Sequence, residues 1–388
     1  MPDALKKNLT KEAVMSKLHK LDANRGSFTG NLHDITSWEI GEGNFTITMN
    51  DETYRFGEWA QTQLLKKLKI PRNYFLKCSK DLRDQEFREG LDALSKGEEN
   101  RFKFWLDPET NEKMVYGFIP MNCPDVLPSE IVEKVLNGAG SLEGVVIAEG
   151  ALSSLDSLRL RLYDSNRNFG TVGTGELFPA MDFVFSDVLR YPIKCQSALF
   201  RKECENGLII PVELNDAFQM PLMRYNEDLF NSHIQFVCDA GSRLDVISKS
   251  FDELRKIELP EALINGDADE RNSFDDVLEY VIPRKPDRDS IAEPVKREYN
   301  ADTGNHTVFG LINAVTATVR DYDEGMDGLK CSVEEGVGKF ITRISIQEQT
   351  REGFKYDKEG LDTLFKKKKK FKAVNSPAGM DLSGRHMQ

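Results

Sequence analysis

The residues whose type and spacing suit them to chemistry are mostly basic. Arg159 and Arg161 stand two apart in Leu158-Arg-Leu-Arg-Leu162, with Arg167 shortly after. Two lysine runs accompany them: Lys66-Lys67-Leu-Lys69, and Lys366, Lys367, Lys368, Lys369 and Lys370, followed by Phe371-Lys372. Guanidinium and ammonium groups pair with phosphate, so each is a candidate contact to a nucleic-acid backbone. Side chains two apart on a strand share a face, so Arg159 and Arg161 are expected to line one groove, with Arg167 beside them. The plainer reading of any such charge run is a solvated face.

Other chemistries find little support. No Gly-x-x-x-x-Gly-Lys-Ser/Thr loop is present, and Gly170-Thr-Val-Gly173-Thr-Gly175 has neither the lysine nor the spacing of a dinucleotide fingerprint, which leaves an ordinary turn. Asp267-Ala-Asp269-Glu-Arg271-Asn272 begins like a calcium loop. Arg271 at its fifth position, Asn272 at its sixth and Leu278 at its twelfth break the pattern and point to a solvated linker. His19, His33, His233, His306 and His386 are scattered with no i, i+4 pair, and no Cys-x-x-Cys accompanies them. A nucleophile elbow of Gly-x-Ser-x-Gly type is absent. No catalytic residue, metal site or cofactor is therefore assigned, and an enzymatic role has no support in the sequence.

Composition narrows the setting. The chain has 388 residues, 39% apolar and 30% charged, enough for two or three domains with a sizeable core. No window approaches a membrane span of uncharged apolar residues, so no membrane partner is expected. A net charge of −12 argues against coating a polyanion with the whole surface and leaves only local basic patches for that role. Met1-Pro-Asp-Ala-Leu-Lys-Lys7 lacks the apolar stretch of a leader, and six scattered cysteines read as reduced buried thiols, so a cytoplasmic location is expected.

The elements that must position these residues follow from periodicity. Val14, Leu18 and Leu21 behind a Thr10 cap predict a helix over residues 1 to 22. Trp38-Glu-Ile40 and Phe45-Thr-Ile-Thr-Met49 alternate around Gly41-Glu-Gly43-Asn44 and predict a hairpin. Phe56 to Leu68 returns to helical spacing up to Ile70-Pro71, with a second helix from about Arg72. Phe102 to Leu106 and Met114 to Ile119 predict paired strands, Pro128 to Val135 a helix, and Leu158 to Leu162 and Met181 to Phe185 further strands. Helical spacing governs Leu229 to Leu254 and His306 to Asp321. The fold class expected is α+β, with a sheet-rich N-terminal half flanked by helices and a helix-rich C-terminal half. The domains expected are a sheet-rich 1–222, a mainly helical 223–345 interrupted by an acidic and Pro-rich insertion at 265–300, and a polar Lys-rich tail at 346–388.

One stretch carries a likeness to a known family. Ala198-Leu-Phe200-Arg201-Lys-Glu-Cys204-Glu-Asn206-Gly207-Leu208 resembles the signature of a phage- and plasmid-borne family of unknown function, the phage/plasmid-like proteins. Gly175-Glu176, the helix Gly310 to Thr316, and Leu64 to Leu68 with Ile70-Pro71-Arg72-Asn73-Tyr74 are similar to flanking parts of that family. By residue type, Cys204 is a buried small group and Asn206-Gly207 a turn. Arg201 and Asn206 either tie down that turn or face a ligand.

The resemblance implies a mobile-element setting, in the host cytoplasm where phage-encoded. The leading expectation is a non-enzymatic, oligomeric DNA-binding protein that holds or anneals single strands, similar in role to phage annealing proteins. Its groove would be lined by Arg159, Arg161 and Arg167, with Lys366 to Lys370 as a phosphate-binding tail. The alternatives are an interaction factor that binds a host or phage protein, in anti-defence or assembly, without DNA affinity, and a metal-dependent nuclease whose carboxylates converge only in three dimensions.

Overall fold

The computed structural model describes residues 5–41, 44–94, 97–139, 144–169, 171–172, 175–202, 208–211, 218–238, 254–255, 258, 274–301, 306–319 and 328–348. Thr10 caps the first helix, its side chain accepting the Ala13 N–H at 3.2 Å, and α1 (Lys11–Asp22) buries Val14, Met15 and Leu18. The chain before Thr10 is a strand, β1 (Leu5–Leu9), rather than the start of that helix, because it adds an antiparallel edge to β8 (Val145–Ser154). Pairing with a distant strand overrides the local spacing here.

The first sheet is built from β2 (Arg25–Asn31), β3 (Ile35–Gly41), β4 (Asn44–Met49), β5 (Glu52–Phe56), β6 (Glu99–Leu106) and β7 (Lys113–Pro120), in the order β2-β6-β7-β5-β4-β3. Its hairpins β3–β4 and β6–β7 are the two expected, the first from alternation and the second from two apolar-rich runs. β5 meets β7 in parallel, which requires a crossover. The crossover contains α2 (Glu58–Lys67), α3 (Arg72–Phe75) and α4 (Lys80–Asp92). Leu64, Phe75 and Phe87 pack with Phe45, Phe56, Phe102 and Phe118 of the strands. Each such side chain, removed from water, stabilises the layer by ~1.5–3 kcal/mol.

The second sheet has the order β1-β8-β9-β11-β12-β13, formed by β9 (Ser157–Asp164), β11 (Gly175–Phe185), β12 (Ile193–Lys202) and β13 (Leu208–Pro211). The short β10 (Thr171–Val172) and β14 (Phe218–Met220) pair with β11 and β12. Every residue of β9 is buried, because helices cover both faces. Leu158, Leu160 and Leu162 pack with Met181 and Phe183 of β11 against α1, α5 (Pro128–Ala139) and α6 (Glu227–Cys238). The opposite face carries Arg159, Arg161, Asp182 and Gln196 and meets the C-terminal helices.

Those helices are α7 (Phe274–Val281), α8 (Lys285–Ala301), α9 (Val308–Val319) and α10 (Leu329–Glu348). The architecture is α+β, with sheets concentrated before residue 220 and helices after it. The proline-rich stretch expected as part of an insertion lies largely in α8. Pro286 occupies its first turn, where a missing N–H costs nothing, and Pro294 sits inside a helix held by buried Ile291, Val295 and Tyr299. Among the described residues, no helix is long and apolar enough to cross a membrane.

A buried polar knot joins the two sheets. Asp187, just beyond β11, accepts from Arg25 at 2.9 Å, Lys103 at 3.1 Å and the Tyr116 hydroxyl at 2.9 Å. Arg25 also donates to the Leu155 carbonyl at 2.8 Å, and Lys103 pairs with Asp125 at 2.7 Å. Burial, with Asp187 close by, pushes the Tyr116 hydroxyl well above its ordinary range, so it remains a neutral donor.

Candidate nucleic-acid interface

The strand register places Arg161 opposite Asp182 and Arg159 opposite Val184. The two arginines do share a face, but that face is closed: they are 5% and 3% exposed. Arg159 clamps both oxygens of Asp182, at 2.7 and 2.8 Å, and Gln196 donates to the same carboxylate at 3.2 Å. Arg161 reaches Asp182 at 3.4 Å and forms an ion pair with Glu334 of α10. Lys194 pairs with the neighbouring Glu335 at 3.2 Å. Burial by itself would raise the Asp182 carboxyl, but the charges of Arg159, Arg161 and Lys194 and the Arg159 hydrogen bonds outweigh it and hold the group well below the usual carboxylate range.

The expected groove over Arg159 and Arg161 is therefore a correction to make. Two charges taken out of water need buried counter-charges, and with those in place the pair is a strut between the second sheet and α10, out of reach of a polynucleotide. Arg167 is exposed, in the turn after β9, and makes no ion pair among the described residues. Arg201 lies near the end of β12, opposite Leu177 and Leu208, and its side chain is outside the described residues. Cys204, Asn206, Gly207 and Lys366 to Lys370 also lie outside them.

The basic surface that the fold does present is residues 66 to 80. This stretch, KKLKIPRNYFLKCSK, contains six basic residues and no acidic one. Its shape is set by how α2 ends. Lys69 takes a left-handed conformation, φ 59°, with its N–H on the Lys66 carbonyl at 3.1 Å, while the Ile70 N–H reaches the Leu65 carbonyl at 2.8 Å. That is a Schellman closure, in which glycine is the common residue at the left-handed position. The chain spends a lysine there, at a backbone cost of ~1–2 kcal/mol for an L-residue.

Pro71 opens α3, fully buried Phe75 pins it to the core, and Ser79 caps α4 by accepting the Leu82 N–H at 3.4 Å. Around that anchor Tyr74 is 46% exposed and Leu76 42%. Lys67 pairs with Glu98, and Arg72 with Glu58 at 2.9 Å. Lys66, Lys69, Lys77 and Lys80 are exposed and make no ion pair among the described residues. These four ammonium groups share their stretch with an exposed phenol ring, whose hydroxyl donates to Glu86 of α4 at 3.4 Å; together they offer backbone neutralisation and a surface on which a base can stack. Lys66-Lys67-Leu-Lys69 stands out in the sequence. The continuation to Lys80 does not, because Ile70-Pro71 and Phe75, which are structural anchors, interrupt the charge pattern.

Among the described residues, no group of three or more His, Cys, Asp or Glu is placed to hold a metal ion. Cys123 and Cys195 are buried free thiols, and Cys78 is a half-buried one within the basic stretch. No family model matches the chain, and neither does any characterised protein or solved structure.

Proposed function

We propose that this chain binds single-stranded nucleic acid through residues 66 to 80, in the handling of phage or plasmid DNA. The observation that carries the reading is the set of four exposed lysines that make no ion pair among the described residues, on a segment that also exposes Tyr74 and Leu76 and contains no acidic residue. On a protein of net charge −12, such a segment concentrates positive potential where a phosphate backbone can follow it. The ring of Tyr74 favours an unpaired strand, whose bases are free to stack, over a duplex whose bases are already stacked.

Fluorescence anisotropy with labelled single-stranded and duplex oligonucleotides tests this. The single strand is expected to bind more tightly, and Tyr74→Ala to weaken it by about tenfold, the effect of removing one stacking platform. Equal affinity for strand and duplex, unchanged in the variant, would remove the stacking role.

Lys69 offers a second test, because binding and stability pull in opposite directions there. Lys69→Gly is expected to raise the unfolding free energy by about 0.5–1 kcal/mol, the cost of a left-handed L-residue less glycine's extra chain entropy. It should also weaken strand binding by about threefold through one lost phosphate contact. Denaturation and anisotropy on the same preparation read both; a variant that is more stable and binds equally well would show that Lys69 is not a contact.

A further inference from the structure

At one end of the first sheet, the ends of β2 and β7, the β4–β5 turn and the start of β6 surround an open cleft of about 880 Å³. Its size falls within the range of about 300–1,000 Å³ typical of small-ligand sites. Lys67, the last residue of α2, lines it, so the cleft is continuous with the basic stretch. Pro120 and the exposed Met121 line the cleft too, apolar groups that suit the face of a flat ring. Its walls are amides and carboxylates: Asn50, Asn100 and Asn122 with Asp34, Glu98 and Glu99.

The signs of these groups select what can enter. Lys67 neutralises Glu98, and Asp34 and Glu99 are left to repel a phosphate, which goes to the lysines outside. Asn50, Glu99 and Asn122 are exposed, and their side chains make no hydrogen bond among the described residues, so they are available to a ligand. A carboxylate only accepts hydrogen bonds, and an amide both donates and accepts. Cytosine presents an exocyclic amine that a carboxylate can receive. Thymine presents carbonyl oxygens on either side of a single N–H, and a carboxylate repels those oxygens.

We infer that one base of the bound strand enters this cleft, and that bases carrying an exocyclic amine are held there in preference to thymine. The inference rests on the nucleic-acid reading above and adds a base preference to it. The test compares labelled oligo(dC) and oligo(dT) of equal length at neutral pH, with wild type, with Glu99→Ala/Asn122→Ala and with Met121→Ala. Wild type is expected to bind oligo(dC) about fivefold to tenfold more tightly than oligo(dT), and the double variant to bring oligo(dC) down to the oligo(dT) value. Met121→Ala is expected to weaken oligo(dC) binding by loss of the ring platform. Equal affinity for both oligomers, or a preference that persists in the double variant, overturns the cleft assignment and leaves the binding reading standing. Failure of wild type to bind either oligomer overturns both.

Discussion

Asp182→Asn is expected to lower the unfolding free energy by ~3–5 kcal/mol, the cost of leaving a buried charge without its counter-charge. Asp182 is 1% exposed and receives Arg159, Arg161 and Gln196 together. The amide keeps the shape but supplies no negative charge, so the Arg159 guanidinium loses the buried carboxylate that it clamps. Glu334 still answers Arg161, which keeps the loss below that of dismantling the whole strut. Urea denaturation followed by circular dichroism measures the difference, and a loss under about 1 kcal/mol would mean that water reaches the pair. Acid acts on the same group. Its carboxyl titrates lower in the folded chain than in the unfolded one, so its contribution is fully present above about pH 4, the ordinary carboxylate range. That contribution is lost as pH falls through the lower folded value. In the variant this part of the acid sensitivity should disappear.

The second large effect belongs to the basic stretch. Reversing Lys66, Lys69, Lys77 and Lys80 to glutamate replaces the four proposed phosphate contacts with four repulsive charges. Strand affinity at moderate salt is expected to fall by at least about a hundredfold. All four side chains are exposed and make no ion pair among the described residues, so the folded state is expected to survive, with an unchanged far-ultraviolet spectrum as the control. Arg159→Glu provides the contrast. Placed beside Asp182 it destabilises the second sheet, and any loss of binding it causes should follow loss of fold.

Local order was legible in the sequence, and long-range partnership was not. The β3–β4 hairpin shows as alternation on either side of a glycine turn, and α1 shows as helical spacing behind Thr10, because each is decided within a dozen residues. That Arg159 and Arg161 share a face was also legible. What that face meets was not, since Glu334 lies 173 residues beyond Arg161. α8 is masked by its prolines, and α10 contains Gly336 and Gly338, residues of low helix propensity. Gly336 is a packing requirement, since an added Cβ would overlap the Val281 carbonyl oxygen of α7. The basic stretch was half visible, as Lys66-Lys67-Leu-Lys69. Its aromatic component was hidden, because nothing in Tyr74-Phe75-Leu76 says that the middle residue is buried and its neighbours exposed.

The measurement that bears most directly on strand binding by residues 66 to 80 is the salt dependence of single-strand affinity, for wild type and for the four-lysine variant. Four phosphate contacts at about 0.7 released counterions each predict a slope of log affinity against log salt of about −3 for wild type, and little residual binding in the variant. No binding by wild type at low salt, or the same slope in both proteins, would contradict it.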